Sequence, residues 1–332
     1  MVAVDVMGGD FAPQAIIEGA FQAAKDGLSV LLFGPEKEIT KYLDKLDLSW
    51  SSLPISISEA NEVIEMGEEP TRAVTKKKNS SLGQAVLAVK EGRCNSVISA
   101  GNSGALMVAA TFILGRQEGI ERPAIAGYLP GLEKAVFCLD LGANADCKAS
   151  YLEQFAHLGS EYISKKQKMK NPKVGLLSNG SEPAKGSMLI KESFALLEKS
   201  GLNFIGNIEP KDVFSNAADV VVCDGFSGNL LLKSAESISL MFKKCFNSKF
   251  DSLVCSKELA DKISKDFILQ WKQDFWNNIP KESDWKQQGG ALLLGVNGTV
   301  VVSHGCSNAV AIKNAIKLAW KSSQKDDDSC LE

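Results

Sequence analysis

The sequence has 332 residues, 45% of them apolar, which suffices for one large α/β domain or two small ones with a sizeable core and argues against general disorder. A net charge of −3 gives no overall attraction to nucleic acid, so an anion has to be held by local groups of Lys, Arg and backbone N–H. Eight cysteines without a C-x-x-C pair, and two histidines without metal-ligand spacing, lead us to expect free thiols in a reducing cytoplasm, no metal and no cofactor.

In chain order, short runs of Val, Ile and Leu alternate with stretches of helical period, the pattern of βα units on a mostly parallel sheet. Strands are expected at Val2 to Val6, Val30 to Phe33, Ile55 to Ser58, Val97 to Ser99, Ala135 to Leu139, Val174 to Leu177, Phe204 to Ile205, Val220 to Cys223 and Val300 to Val302. The first helix has Pro13 in its first turn, an apolar face of Ala15, Ile16, Ala20, Phe21 and Ala24, and Gly27 to end it. Gly92 and Gly201 close later helices in the same way. Between Lys257 and Ile279, the four-residue spacing of Leu259, Ile263, Phe267, Trp271 and Phe275 predicts an amphipathic helix. Trp271, Trp276 and Trp285 fall within fifteen residues there, and their indoles suit a subunit interface or a lipid headgroup layer. The organisation expected is a single catalytic domain over 1–322, with a helical projection over 235–285, and a frayed acidic tail over 323–332. No basic-then-apolar leader and no apolar run near the roughly 20 residues of a bilayer span is found, so at most peripheral membrane contact is expected.

Glycine beside Asn, Asp or Ser follows one apolar strand after another: Gly8-Gly9-Asp10, Gly101-Asn102-Ser103-Gly104, Gly142-Ala143-Asn144, Asn179-Gly180, Asp224-Gly225-Phe226-Ser227-Gly228-Asn229 and His304-Gly305. Such turns let the backbone approach a ligand, and the helix beyond offers unpaired N–H groups to an anion, with phosphate the natural guest. Asn102, Ser103 and Gly104 are expected to cradle it. Asp10 and Asp224 either orient a cation, accept a proton or cap a helix. His304 either acts as an acid or orienting group or bonds a neighbouring backbone group, while His157, on a helical pattern with Phe155 and Leu158, reads as structural.

The stretches VAVDVMGGDFAP, EEPTRAVTKKKNSS, SAGNSGALM, RPAIAG, LDLGANADCK, FIGNIE, DVVVCDGFSGN, LLGVNGTVV and SHGCSNAVAIKNAI resemble, in order and spacing, the PlsX-type phosphate acyltransferases from about residue 2 to residue 320. The resemblance implies a Rossmann-like α/β/α sandwich related to the isocitrate and isopropylmalate dehydrogenases. It also implies transfer of an acyl group from acyl carrier protein to inorganic phosphate, in a homodimer whose helical projection forms the dimer contact and touches the membrane with its tip. The product would feed a membrane-bound glycerol-3-phosphate acyltransferase. Two positions depart from the family: Phe11 stands where it has His, so no imidazole acts there, and LLSNGSEPAKG replaces an LLNIGEE-type loop at Ser178.

That chemistry needs no enzyme nucleophile, because phosphate attacks and a thiolate leaves; the site has to hold a dianion, stabilise an oxyanion and exclude water. Lys185, beside Gly186, is expected to anchor phosphate or offset oxyanion charge, and Asn229 either donates to the carbonyl oxygen or caps a helix. Asn144 and Ser227 complete the expected substrate loops. Arg72, Lys76, Lys77 and Lys78 offer a landing strip to an acidic carrier protein, with Lys165, Lys166, Lys168 and Lys170 as a second option. Phe267, Trp271, Phe275 and Trp276 are the expected dimer or membrane contacts. A phosphotransacetylase-like reaction on acyl-coenzyme A and a metal- and NAD-dependent decarboxylating dehydrogenase stand as alternatives, the latter lacking a D-x-x-x-D metal set.

Overall fold

The computed structural model describes residues 1–254, 265–278 and 289–324. One 11-stranded sheet organises them, in the order β3-β2-β1-β4-β11-β10-β5-β6-β9-β7-β8. The strands are β1 Val2–Asp5, β2 Val30–Gly34, β3 Ile55–Glu59, β4 Ser96–Ser99, β5 Ala124–Leu129, β6 Val136–Leu139, β7 Val174–Leu177, β8 Phe204–Ile208, β9 Val220–Val222, β10 Ala291–Leu294 and β11 Thr299–Val302. All nine expected strands are present. The two unexpected ones, β5 and β10, are the antiparallel members: β10 pairs antiparallel with β11 and β5, and β5 pairs antiparallel with β6.

These reversals divide the sheet into two parallel blocks of opposite sense, β3-β2-β1-β4-β11 and β6-β9-β7-β8. At a usual twist of roughly 20–25° per strand pair, the six steps from β1 to β9 rotate strand direction by more than a right angle. Much of the reversal is thereby offset, and loops at the C-terminal ends of both blocks can serve one site.

Helices cover both faces, which explains why β1, β4, β6, β7 and β9 are buried along their whole length and why β6, β7 and β9 carry no polar side chain other than a cysteine thiol. On one face α1 (Gln14–Lys25) packs against the last helix, α11 (Ala309–Ser323), with Ile16, Ile17, Ala20, Ile312, Ala315 and Ile316 between them and the sheet, and α2 (Glu36–Leu46) adds Ile39 and Leu43 to the same layer. Gly19 lies at their crossing, where a Cβ would stand 2.6 Å from Ile312 Cβ and 2.7 Å from the Ala309 carbonyl. The opposite face of this block carries α3 (Pro70–Lys76), α4 (Ser81–Lys90) and α5 (Ser103–Ala109), while α6 (Ala149–Gln167) and α7 (Met188–Leu197) cover the second block. A short helix, α8 (Pro210–Phe214), precedes β9.

The longest helix, α9 (Gly225–Val254), has 30 residues, about 45 Å at 1.5 Å per residue. Its first turns pack on the sheet beside Leu231, Leu232 and Ala235, whereas Ile238, Leu240, Met241 and Phe242 are exposed. Farther out it meets α10 (Lys265–Asn278), where the rings of Phe250 and Trp271 stack at 5.2 Å. Of the expected amphipathic helix, 255–264 and Ile279 lie outside the described residues, as do Trp285, 325–332 and the side chains of Phe275 and Trp276. Phe267 and Trp271 are exposed. No helix among the described residues is long and apolar enough to cross a membrane.

Candidate functional site

The loops that follow β1, β4 and β11 meet over a buried carboxylate. Asp5, at the end of β1, accepts hydrogen bonds from the hydroxyls of Ser81 and Ser99, each at 2.6 Å, and Ser99 Oγ accepts the Gly101 N–H at 3.0 Å. Burial pushes the Asp5 carboxyl above its ordinary range, against the opposing bonds from Ser81, Ser99 and the Met7 backbone. Above it the chain passes so closely that a Cβ on Gly8 would lie 2.6 Å from Asp5 Oδ2 and 2.7 Å from the Gly101 nitrogen. Gly9 has φ +113°, a conformation that glycine adopts without strain. The Asp10 N–H donates to the Gly305 carbonyl at 2.8 Å, bringing in the loop that carries His304. The Asp10 side chain and Ser103 are exposed beside this floor.

Asn102 departs from the cradle expected of it. Its side-chain oxygen caps α5 by accepting the Ala105 N–H at 3.0 Å, and its amide donates to the carbonyls of Glu68 (2.9 Å), Met66 (3.1 Å) and Glu65 (3.4 Å). The side chain is consumed in clasping the 65–68 segment across the loop, so this amide is not available to a ligand. Gly104 is needed for the same clasp, since a Cβ there would stand 2.7 Å from Pro70 Cγ at the start of α3.

A second buried carboxylate organises the loops after β6 and β9. Asp140 Oδ1 accepts the N–H groups of Ile125 (3.0 Å), Gly142 (3.1 Å) and Ala143 (2.9 Å), and Oδ2 accepts the Asn144 N–H (2.7 Å) and Asn144 Nδ2 (2.9 Å). Burial pushes this carboxyl up while its five donors pull it down, and burial prevails. Asn144 also donates to the Pro123 carbonyl at 2.8 Å, so its side chain braces the loop, leaving no amide proton for substrate. Asp224 turns out to be a cap: it accepts the Ser227 N–H at 2.8 Å and the Ser227 hydroxyl at 2.9 Å in the first turn of α9. Gly228 is obligatory, because a Cβ would fall 1.9 Å from the Asp140 carbonyl. Burial raises the Cys147 thiol to about 11 and the Cys223 thiol well above its ordinary value, so neither is a thiolate near neutrality.

Asn229 lies in the second turn of α9, which removes its helix-capping alternative. It is exposed, faces Gly142, and makes no side-chain hydrogen bond among the described residues. Lys185 is also exposed, in the loop between β7 and α7, three residues before the helix whose N-cap is Ser187. It folds against Gly180, and its backbone N–H donates to the Glu182 carbonyl at 3.0 Å. Ser178 Oγ and Asn207 Oδ1 are buried under this loop without a hydrogen-bond partner.

α9 joins the two groups of loops. One turn beyond Asn229, about 6 Å along the axis, Lys233 Nζ lies 2.7 Å from His304 Nε2 and 2.9 Å from Glu236 Oε2. Glu236 Oε1 is 3.2 Å from the same imidazole nitrogen. Burial raises the Glu236 carboxyl, but its bonds to His304 and Lys233 outweigh that and hold it below the usual carboxylate range. Sequence reasoning missed Asp5, Asp140, Lys233 and Glu236. Only Lys233 carried a local signal, its i+4 spacing from Asn229, which puts both on one helix face.

Of the expected basic strip, Arg72, Lys76 and Lys78 are exposed at and just beyond α3, next to the Gly104 turn. Lys77 does not belong with them: its ammonium turns inward to the Val63 carbonyl at 2.6 Å and to Glu68. The second basic option is split by a partner too, since Lys165 pairs with Glu161 at 2.5 Å.

Residues 1–327 match a family described as "Fatty acid synthesis protein". A phosphate acyltransferase of Dictyoglomus turgidum is 45% identical over 96% of this chain and 93% of its own length, and one of Dictyoglomus thermophilum is 44% identical over the same shares. Among solved structures, a phosphotransacetylase from Streptococcus pyogenes superposes with a TM-score of 0.63 at 17% identity, covering 97% of this chain and 93% of its own. A 4-hydroxythreonine-4-phosphate dehydrogenase from Klebsiella pneumoniae gives 0.56 at 12% identity, covering 98% and 99%. Likenesses this distant in sequence bear on the fold alone, a mostly parallel sheet with helices on both faces.

Proposed function

We infer the reaction from membership of a family: this chain belongs to the phosphate acyltransferases. The proposed reaction moves a long-chain acyl group from the thioester of acyl carrier protein to inorganic phosphate. A phosphate oxygen attacks the carbonyl carbon, the carbon–sulfur bond breaks, and the phosphate proton ends on the departing thiolate, giving acyl phosphate and free carrier thiol. The observation that carries this reading is the meeting of the Gly8–Asp10 turn with Gly101 and Gly305 in a floor with no room for a Cβ at Gly8, while α9 presents Asn229 over Gly142 and, one turn on, reaches His304 through Lys233. Such a floor offers main-chain N–H groups to an anion, and Asn229, without a side-chain hydrogen bond among the described residues, has two amide protons for the oxygen that gains charge. Lys185, exposed and paired with no carboxylate among the described residues, is assigned to the same charge.

The exposed Arg72, Lys76 and Lys78 beside this floor support docking of an acidic carrier protein there. The exposed apolar side chains of α9 and α10 support a homodimer contact and peripheral contact with the inner face of the cell membrane, where an acyl phosphate would pass to a membrane-bound glycerol-3-phosphate acyltransferase for phospholipid synthesis. Purified full chain mixed with long-chain acyl carrier protein should release free thiol only when phosphate is added. Absence of phosphate-dependent release defeats the proposal, and faster turnover of short acyl-coenzyme A than of the carrier substrate would replace it with a phosphotransacetylase-like reaction.

A further inference from the structure

The loops expected to hold phosphate after β1, β4 and β11 read VMGGDFAP, AGNSGA and SHGCSN, and contain an aspartate but no Lys or Arg. A dianion there meets N–H groups and is repelled by Asp10 unless a cation is supplied from elsewhere. Arg72, Lys76 and Lys78 flank the Gly104 turn from outside, whereas Lys233 is a cation with its ammonium in contact with one of these loops, 2.7 Å from Nε2 of His304, the residue just before the Gly305 that bonds Asp10. The same ring nitrogen lies 3.2 Å from Glu236 Oε1, so ammonium, imidazole and carboxylate form one cluster at the edge of these loops. Glu236, one turn along α9, holds the ammonium from the other side at 2.9 Å.

We propose that Lys233 is a phosphate-binding residue of this site, parked on His304 in the free protein and positioned by Glu236. Its side chain keeps 45% of its surface in solvent, so it moves to an arriving anion without breaking the core. A hydrogen bond from the ammonium to a dianion is charge-assisted on both sides and stronger than one shared with a ring nitrogen. Lys185, on the loop after β7, is then left to the carbonyl end of the reaction, and the two lysines divide the charge between nucleophile and oxyanion.

The inference rests on the phosphate-transfer reading, and the experiment separates the two. Wild-type thiol release is first measured against phosphate concentration; release that ignores phosphate sinks the reading itself. Given phosphate dependence, Lys233→Ala should raise the KM for phosphate on the order of tenfold to a hundredfold, with the KM for the acyl donor unchanged, and Lys233→Arg should recover part of the loss. Glu236→Gln should raise the phosphate KM severalfold while leaving kcat nearly intact, as expected of a positioning residue. Independently of turnover, millimolar inorganic phosphate should raise the melting temperature of the wild type and not that of Lys233→Ala. An unchanged phosphate KM in Lys233→Ala, or an equal rise in the KM of both substrates, overturns the proposal.

Discussion

The loop after β1 and the loop after β6 are each built on a buried aspartate, and they are braced in different ways. Asp5 is held mainly by two hydroxyls, which can turn to donate or accept, beside one main-chain donor at Met7, so most of the surrounding bonds tolerate a change in the group at their centre. Asp140 is held by four main-chain N–H groups and one side-chain amide, which only donate, so that loop depends on an acceptor of full charge. The first arrangement supports the tight Gly8–Gly101 turn proposed to receive the anion, and the second supports the loop that Asn229 faces. The contrast teaches that a buried carboxylate can serve either as an adjustable support or as a fixed keystone, according to what its partners can do.

Asp140→Ala should therefore have the largest effect, a loss of about 3–5 kcal/mol in urea unfolding as several buried N–H groups lose their acceptor. Asn229→Ala and Lys185→Ala should lower turnover roughly 10²–10³-fold at an unchanged melting temperature; full activity in both would remove them from the site and leave the Asp140 platform without a task. Asn102→Ala tests the other loop in the opposite sense: losing a cap and three clasping bonds should cost about 2 kcal/mol of stability. Stability equal to wild type with activity abolished would restore Asn102 to the phosphate cradle. Asp5→Asn should cost the least, about 1 kcal/mol or below near neutrality, since the serine hydroxyls can reverse.

The same variant carries a pH signature. With its folded value raised by burial, Asp5 binds a proton more tightly in the folded than in the unfolded chain. Its contribution to stability is thus full below about pH 4, the unfolded value, and is lost as pH rises through the folded value. Urea unfolding of Asp5→Asn between pH 4 and 7 should show a smaller fall than wild type over that rise, and a steeper fall would contradict the assignment.

Much of the fold was legible because parallel strands covered on both faces are continuous apolar runs, as in VLLF and VVVC. β5 and β10 escaped notice: AIAGYL is diluted by Ala and Gly, and ALLL is too short to separate from a helical turn. At the site, glycine marked the right turns, because close approach of Gly8 to Gly101 and of Gly228 to Asp140 permits no other residue. The roles of Asn102, Asn144, Asp224 and Lys77 were not legible, since an amide, carboxylate or ammonium that braces a loop has the same letter as one that binds substrate. Asp5 and Asp140 read as polar stops at strand ends, and nothing local reveals that Ser81 will reach the first of them across 76 residues of chain.

The middle of the sheet is closed by the last strands to be made. β11 pairs with β4 and β10 with β5, so until the segment from Gly289 onward is available, both of those strands are bare edges. A nascent chain emerging from the ribosome would hold two half-sheets with open, apolar borders, the kind of intermediate that chaperones shield and that otherwise associates with its neighbours. Truncations that remove only this segment should therefore accumulate as aggregates and not as a smaller soluble protein, although most of the expected substrate loops precede the cut.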